Sequence, residues 1–149
     1  MIKVFILLVI MFSISGADDI KIDTILNEAK KSHKHMLIFL HRPNCPYCER
    51  MIEFTLDDEK IAHKIKKDFI FVDINIADAG EVSFKNFKGS RQDFAKFLGY
   101  DFYPSTIFLS SNKELVYAQP GYQEEDKYFK ILRYINSRSY DEMELEDFK

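Results

Sequence analysis

Both cysteines of the 149-residue chain lie in one short stretch, FLHRPNCPYCERM, at residues 39–51. They are Cys45 and Cys48, separated by one proline and one tyrosine. The apolar run at 36–40 before them is typical of a strand buried on both faces, and 49–56 after them has a helical pattern. The cysteines are therefore predicted to stand where a strand gives way to a helix.

This position favours a reactive thiol. Pro46 suits a first helical turn, where its missing N–H would have no partner. Cys45 would then face unpaired amides and the positive end of the helix dipole, which favour thiolate over thiol. Cys48 would point from the same face but lie deeper, so that the two thiols can close a small disulfide ring. Such a pair suits two-step exchange, in which one thiolate attacks and the other resolves.

The first residues resemble a leader rather than part of a domain. Lys3 precedes an apolar run at 4–12, and residues 13–17 are small or polar, with Ser15 and Ala17 placed for cleavage before Asp18. These parts predict a signal peptide over 1–17. A membrane anchor is the alternative, but spanning a bilayer needs about 20 apolar residues. The mature protein is then expected to be periplasmic or otherwise secreted, without stable membrane insertion.

The rest of the chain alternates helices and strands. The predicted order is a helix at 20–31 capped by Asp18 or Asp19, a strand at 36–40, helices at 49–56 and 57–69, and a strand at 70–76. An irregular insertion at 77–90 leads to a helix at 91–98 that Gly99 ends, then strands at 105–110 and 115–119 and a helix at 124–137. This order predicts a mixed sheet with helices on both faces, a domain over 18–138 and an acidic tail at 139–149, either a ragged helix or disordered.

Taken together, these features resemble the thioredoxin-like family: a buried strand, C-P-Y-C opening a helix, and Pro104 leading into an apolar strand in DFYPSTIFL. The resemblance implies an α/β thioredoxin-like fold with a mixed four- to five-stranded sheet and a short insertion before the strand that follows a cis-proline. It implies that Cys45 and Cys48 are catalytic, that Pro104 is cis beside them, and that Tyr103, Pro46 and Tyr47 shape the substrate groove or tune the pair. Among subgroups, the export signal favours periplasmic, SoxW-like proteins over cytosolic glutaredoxins.

Two positions depart from the family. Thioredoxins usually carry a buried carboxylate six residues before the first cysteine, where this chain has Phe39, and often a Trp directly before it, where this chain has Asn44. Asp73, on the strand expected beside the motif strand, and Glu49, after Cys48, are the candidate substitutes as proton carriers. The departures bear on rate and redox potential rather than on the type of chemistry.

Other interpretations of the motif and its surroundings remain open. The pair could be a structural disulfide, although so short a loop contributes little entropic stabilisation. It could be half of a zinc site completed by His33, His35 or His41, although structural zinc sites usually have four ligands in paired spacing. His41 could be a general base or a polar surface residue. The Phe-rich stretch 84–100 could be a binding surface, but core packing is the commoner use of such residues.

The functional prediction is an extracytoplasmic thiol–disulfide oxidoreductase, more readily a reductase than an oxidase. The alternatives are a non-catalytic client-binding or chaperone module, or a Dsb-like oxidant or isomerase. The formal charge of −3 gives no basic surface for nucleic acid. The expected partners are client proteins with disulfides or thiols and a membrane thiol carrier of electrons. The protein is expected to be a monomer that needs no cofactor or metal beyond its own disulfide.

Overall fold

A computed structural model describes residues 18–149. The predicted signal peptide and its cleavage point therefore lie outside the described residues. In this part of the chain the strands are β1 (Ile20–Lys21), β2 (His35–His41), β3 (Phe69–Asn75), β4 (Glu81–Phe84), β5 (Phe87–Ser90), β6 (Ser105–Leu109) and β7 (Leu115–Pro120). The helices are α1 (Ile22–Lys31), α2 (Pro46–Arg50), α3 (Glu59–Asp68), α4 (Arg91–Leu98) and α5 (Glu125–Asn136).

The main sheet has four strands in the order β3-β2-β6-β7. β2 runs parallel to β3 and antiparallel to β6, and β7 is antiparallel to β6. This is the mixed sheet between helices that the sequence predicted.

The central strand β2 is buried on both faces, as predicted, because its side chains alternate between two apolar clusters. Met36, Ile38 and Leu40 pack with α1 and α4. Leu37 and Phe39 pack with α3 and α5 on the other face. The strand is thereby held rigidly, and the loop that follows it carries the cysteines.

The segment 77–90 is not irregular, and that part of the prediction was wrong. It contains β4 and β5, an antiparallel hairpin to which β1 adds as a parallel strand, forming a second sheet in the order β1-β4-β5. Lys85 takes positive φ in the tight turn, a conformation that Gly, Asn or Asp adopts more readily. The hairpin therefore lacked its usual sequence signal.

The start of α1 also differs from the prediction. The helix begins at Ile22, and no side chain caps it. The Asp19 carboxylate instead accepts a hydrogen bond from the Glu81 amide, and the Asp18 carbonyl accepts one from Arg91. Both expected capping residues therefore hold the chain start against the hairpin and α4.

The helix after the cysteines has two parts. α2 covers the first turn, and a π-helix follows at Met51–Leu56. The Thr55 hydroxyl donates to the Gln123 carbonyl at 2.7 Å, and the Gln123 amide donates to the Met51 sulfur at 3.4 Å. These contacts bind the motif helix to the segment that leads into α5.

The remaining elements follow the prediction closely. α4 has the predicted bounds and ends at Gly99, whose φ is +84°. Phe84 and Phe94 of the Phe-rich stretch lie in the core, while Phe97 is partly exposed.

The tail forms a 3₁₀ turn at Ser139–Asp141 and then packs on the fold through the buried Leu145, so it is not disordered.

Candidate active site

Cys45 and Cys48 form a disulfide at the start of α2. The S–S distance is 2.11 Å and the Cα–Cα distance is 5.2 Å. Cys45 occupies the N-cap position with extended backbone, and Pro46 is the first helical residue. The two-residue spacing and the helix start therefore bring the sulfurs together within the first turn.

The sulfur of Cys45 lies where helix amides point. The Cys48 amide donates to Cys45 Sγ at 3.2 Å, and the amides of Cys48 and Glu49 are each 3.0 Å from the Cys45 carbonyl oxygen. Both cysteines are buried, and Cys45, at 4% exposed, is slightly more accessible than Cys48, at 1%. In the reduced protein, an amide hydrogen bond at this position would favour the Cys45 thiolate over the thiol.

The loop before β6 lies against the disulfide. The Tyr103–Pro104 peptide bond is cis, and the Tyr103 carbonyl oxygen is 3.9 Å from Cys45 Sγ. The Gly121 amide donates to the Pro104 carbonyl at 2.7 Å, which holds this loop from the other side. The structure thus brings Tyr103 and Pro104 next to the first cysteine, although they are far from it in the sequence.

Tyr103 is partly buried, and burial raises the pKa of its phenol. Asp101 raises this pKa further, while Arg42 lowers it. Two opposite charges therefore act on the side chain beside the disulfide.

Aromatic side chains surround the site. Tyr47, between the cysteines, is 64% exposed, and Phe102, just before Tyr103, is also 64% exposed. Single exposed aromatic side chains are normal on a protein surface, and they mark an interaction site only where they form a contiguous patch. Phe102 was not among the predicted site residues, although its position two residues before Pro104 could have indicated that it lies near the site.

Asp73 and Glu49 differ in their placement. Asp73 is paired with Phe39 across β2 and β3, so it lies beside the position where the family usually has its carboxylate. Its Oδ1 is 2.8 Å from His41 Nε2, an ion-pair distance when the imidazole is protonated, but the ring N–H does not point at this oxygen in an aligned hydrogen bond. Glu49 is exposed to solvent. Neither residue reproduces a buried carboxylate.

The structure gives no support to a metal centre at the motif. Among residues 18–149, no group of three or more His, Cys, Asp or Glu side chains is placed to hold a metal ion. His35 is buried at the start of β2 and contacts the Tyr140 hydroxyl at 2.7 Å, a structural rather than a ligand-binding position.

The family model for the thioredoxin-like domain matches residues 22–136. This chain belongs to the thioredoxin-like family. Its match covers the motif, the cis-proline loop and all five helices. No curated protein matches the chain.

Solved structures share the thioredoxin-like fold. A thioredoxin-fold protein from Helicobacter pylori aligns with a TM-score of 0.64 at 22% identity, covering 78% of each chain. A thioredoxin from Thermus thermophilus aligns with a TM-score of 0.61 at 19% identity, over 78% of this chain and 85% of that one. The reduced C-terminal domain of Neisseria meningitidis DsbD aligns with a TM-score of 0.55 at 17% identity, over 75% and 91%. At these identities the likeness concerns the fold.

A thioredoxin-like fold with a C-x-x-C disulfide at a helix start supports thiol–disulfide exchange as the chemistry of this protein. Within the described residues, no helix has the length and apolar content needed to cross a membrane.

Several residues near the site could not be found from the sequence. The motif helix is held by hydrogen bonds that involve Thr55, Gln123 and Met51. Gln92 of α4 lines a cavity together with Asn44, the residue before Cys45. Nothing in their local sequence distinguishes them, because their positions depend on how distant segments pack.

Proposed function

We propose that this protein is an extracytoplasmic thiol–disulfide oxidoreductase that reduces disulfides in client proteins. The observation that carries the proposal is the placement of Cys45 Sγ, which receives the Cys48 amide at 3.2 Å and lies 3.9 Å from the Tyr103 carbonyl beside a cis-proline. The location rests on the predicted signal peptide at 1–17, and the assignment to a SoxW-like subgroup rests on the resemblance of the sequence alone.

The reaction proceeds in two exchanges. The Cys45 thiolate attacks one sulfur of a client disulfide, forms a mixed disulfide and releases the other client sulfur as a thiolate. The Cys48 thiolate then attacks Cys45 Sγ, forms the Cys45–Cys48 disulfide and releases the second client sulfur. The client gains two electrons and two protons, and the protein loses them. A membrane thiol carrier would return the protein to the dithiol form.

Other residues have supporting roles in this proposal. Pro104 and Tyr103 present backbone to the client chain, Pro46 fixes the start of α2, and Tyr47 contacts the client. Both candidate proton carriers are exposed, and the proposal prefers Asp73, because it lies opposite Phe39 and close to His41.

The decisive experiment compares serine variants in an insulin-reduction assay. Cys45→Ser should abolish activity, because it removes the attacking thiol and leaves only the more deeply buried Cys48. Cys48→Ser should accumulate mixed disulfides, visible by mass spectrometry and cleared by dithiothreitol. Full activity in Cys45→Ser would overturn the proposal.

The pH dependence of alkylation separates this function from a non-catalytic binding module. In the reduced protein we expect the Cys45 thiol to react with iodoacetamide with an apparent pKa below the ordinary value of about 8.5. An apparent pKa of about 8.5 or higher would favour the binding module. A measured reduction potential, with the redox state of the pair in cells, would decide between reductase and oxidase.

The location has its own test. The intact mass of protein recovered from the extracytoplasmic fraction should correspond to a chain that begins at Asp18. Recovery of the full-length chain from the cytoplasm alone would contradict this part of the proposal.

A further inference from the structure

Two adjoining cavities lie between the segment directly before Cys45 and the loop that holds Tyr103. The first has a volume of about 430 Å³ and is lined by Arg42, Ile76, Gln92, Asp101, Phe102 and Tyr103. The second, of about 340 Å³, shares Arg42, Ile76 and Gln92 and adds Pro43, Asn44 and Ala77. We call the two together the Arg42 groove. It runs from the cis-proline loop to the residues directly before Cys45.

Each cavity is lined by a residue close to Cys45, although neither is lined by a cysteine. Asn44 is the neighbour of Cys45 in the chain, and Tyr103 presents its carbonyl oxygen 3.9 Å from Cys45 Sγ. Residues of a client that flank its attacked cysteine would therefore come near this groove.

Arg42 carries the charge that the groove offers. It is exposed, and within residues 18–149 its guanidinium has no carboxylate partner within ion-pair distance and no hydrogen bond. It lines both cavities, and it is the one charged residue among those that line the cavity next to Asn44. Asp101 lines only the other cavity, the one that Tyr103 also lines.

The start of α4 completes the groove. Gln92 is exposed and lines both cavities. Its neighbour Arg91 is buried and binds Asp78 at 3.2 Å and the Asp18 carbonyl at 3.1 Å. The start of α4 is therefore held in place, and Gln92 lines the same two cavities as Arg42.

We propose that the Arg42 groove recognises an acidic side chain adjacent to the client's disulfide cysteine, with Arg42 as the charged partner and Gln92 as a second donor. The inference rests on the proposed function and narrows its substrates to disulfides with a neighbouring carboxylate. A guanidinium binds a carboxylate with two parallel N–H donors. Because the Arg42 guanidinium has no carboxylate partner within residues 18–149, it would break no existing ion pair when it binds a client.

The test uses symmetric peptide disulfides, each made of two copies of one short peptide. Glu, Gln or Lys stands directly before the cysteine in one series and directly after it in the other. The reduced protein is mixed with each peptide, and released peptide thiol is counted by acid quench and chromatography. Because both halves are identical, either sulfur that Cys45 attacks has the same neighbour.

In at least one series, we expect wild-type kcat/KM for the Glu peptide to exceed that for the Lys peptide about fivefold at low salt, equivalent to about 1 kcal/mol. The ratio should approach one at an ionic strength of about 1 M, where charges are screened beyond about 3 Å. Arg42→Glu should invert the ratio, and Arg42→Gln should bring it near one. Using the ratio removes any effect of Arg42 on the thiol itself.

Lys127→Glu is the matched control, because Lys127 is an exposed residue on α5 and the change alters net charge equally. It should retain the wild-type ratio. Equal rates for Glu and Lys peptides in both series, or a preference that persists in Arg42→Glu, would overturn the inference while leaving the proposed function intact. A wild-type protein that reduces none of the peptides, including the Gln ones, would instead contradict the proposed function and the inference with it.

Discussion

At the scale of single residues, the site depends on backbone placement as much as on side-chain identity. Cys45 is an ordinary cysteine that becomes distinctive because it caps α2 and receives an amide hydrogen bond. Tyr103 contributes a carbonyl oxygen rather than its phenol. These roles follow from where the chain turns, and at the motif the turn is visible in the sequence through Pro46.

Gly80 gives the clearest prediction at this scale. Its φ is +101°, and a Cβ there would lie 2.8 Å from the Asp18 carbonyl oxygen, a backbone atom. Gly80→Ala should therefore lower the free energy of unfolding by about 2–4 kcal/mol, from strained φ and overpacking together. Urea denaturation followed by circular dichroism measures the change.

Gly99→Ala is the matched control for this prediction. Gly99 also has positive φ, at +84°, but a Cβ there would meet nothing within 4 Å. Only the backbone strain remains, so the expected loss is about 1 kcal/mol. If the two variants lost the same free energy of unfolding, the close approach of Gly80 to Asp18 would contribute nothing to the destabilisation by Gly80→Ala.

At the scale of elements, sequence patterns predicted what is long and periodic. β2 could be predicted because its five central residues are all apolar, and α4 because its stripe ends in Gly99. The β4–β5 hairpin could not, because its strands are short and Lys85 occupies a turn position at which Gly or Asn is expected. β1 has only two residues, Ile20 and Lys21, and its existence depends on β4.

The residues of the site likewise divide into those that the sequence could predict and those that it could not. The cysteines were predicted from the motif, and the role of Pro104 from the resemblance to the thioredoxin-like family. The groove was not, because Gln92, Arg42 and Phe102 come from three segments that only packing brings together. Likewise, the π-helix after α2 has no sequence signal that separates it from an α-helix.

The contact of the π-helix with the segment before α5 provides the prediction at this scale. Thr55 is fully buried and donates to the Gln123 carbonyl at 2.7 Å. Thr55→Val keeps the shape but leaves that carbonyl without its partner, so unfolding should become easier by about 1–3 kcal/mol. Thr24→Val, at an exposed position of α1, should change stability little. A Thr55→Val variant with the same free energy of unfolding as the wild type would show that this hydrogen bond does not hold the motif helix in place.

At the scale of the whole molecule, the last residues close the fold on the side of the sheet away from α1. Leu145 is buried in the cluster that includes Phe39 and Phe108, and Phe148 packs against it. The Tyr134 hydroxyl donates to the Met143 carbonyl at 2.6 Å. The acidic composition of the tail suggested solvent exposure, but its few apolar side chains decide where it lies.

His35 links β2 to this tail and makes stability depend on pH. Its Nε2 lies 2.7 Å from the Tyr140 hydroxyl. Burial lowers the pKa of His35, Arg138 lowers it further, and Asp141 opposes them. The folded state therefore favours the neutral imidazole. Its contribution to stability is complete above the unfolded pKa of about 6.5 and is lost as the pH falls from there through the folded value.

We therefore expect the urea midpoint to fall between pH 7.5 and pH 5, and to fall less in His35→Gln, which lacks the titrating group. His63→Gln, at an exposed position of α3, should retain the wild-type pH dependence. Because Tyr140 belongs to the tail, acid should also lower the hydrogen-exchange protection factors, taken relative to the intrinsic exchange rate at each pH, at residues 139–149 before those of β2. A His35→Gln variant with an unchanged pH profile would assign the acid sensitivity to other groups and leave the tail contact with a purely packing role.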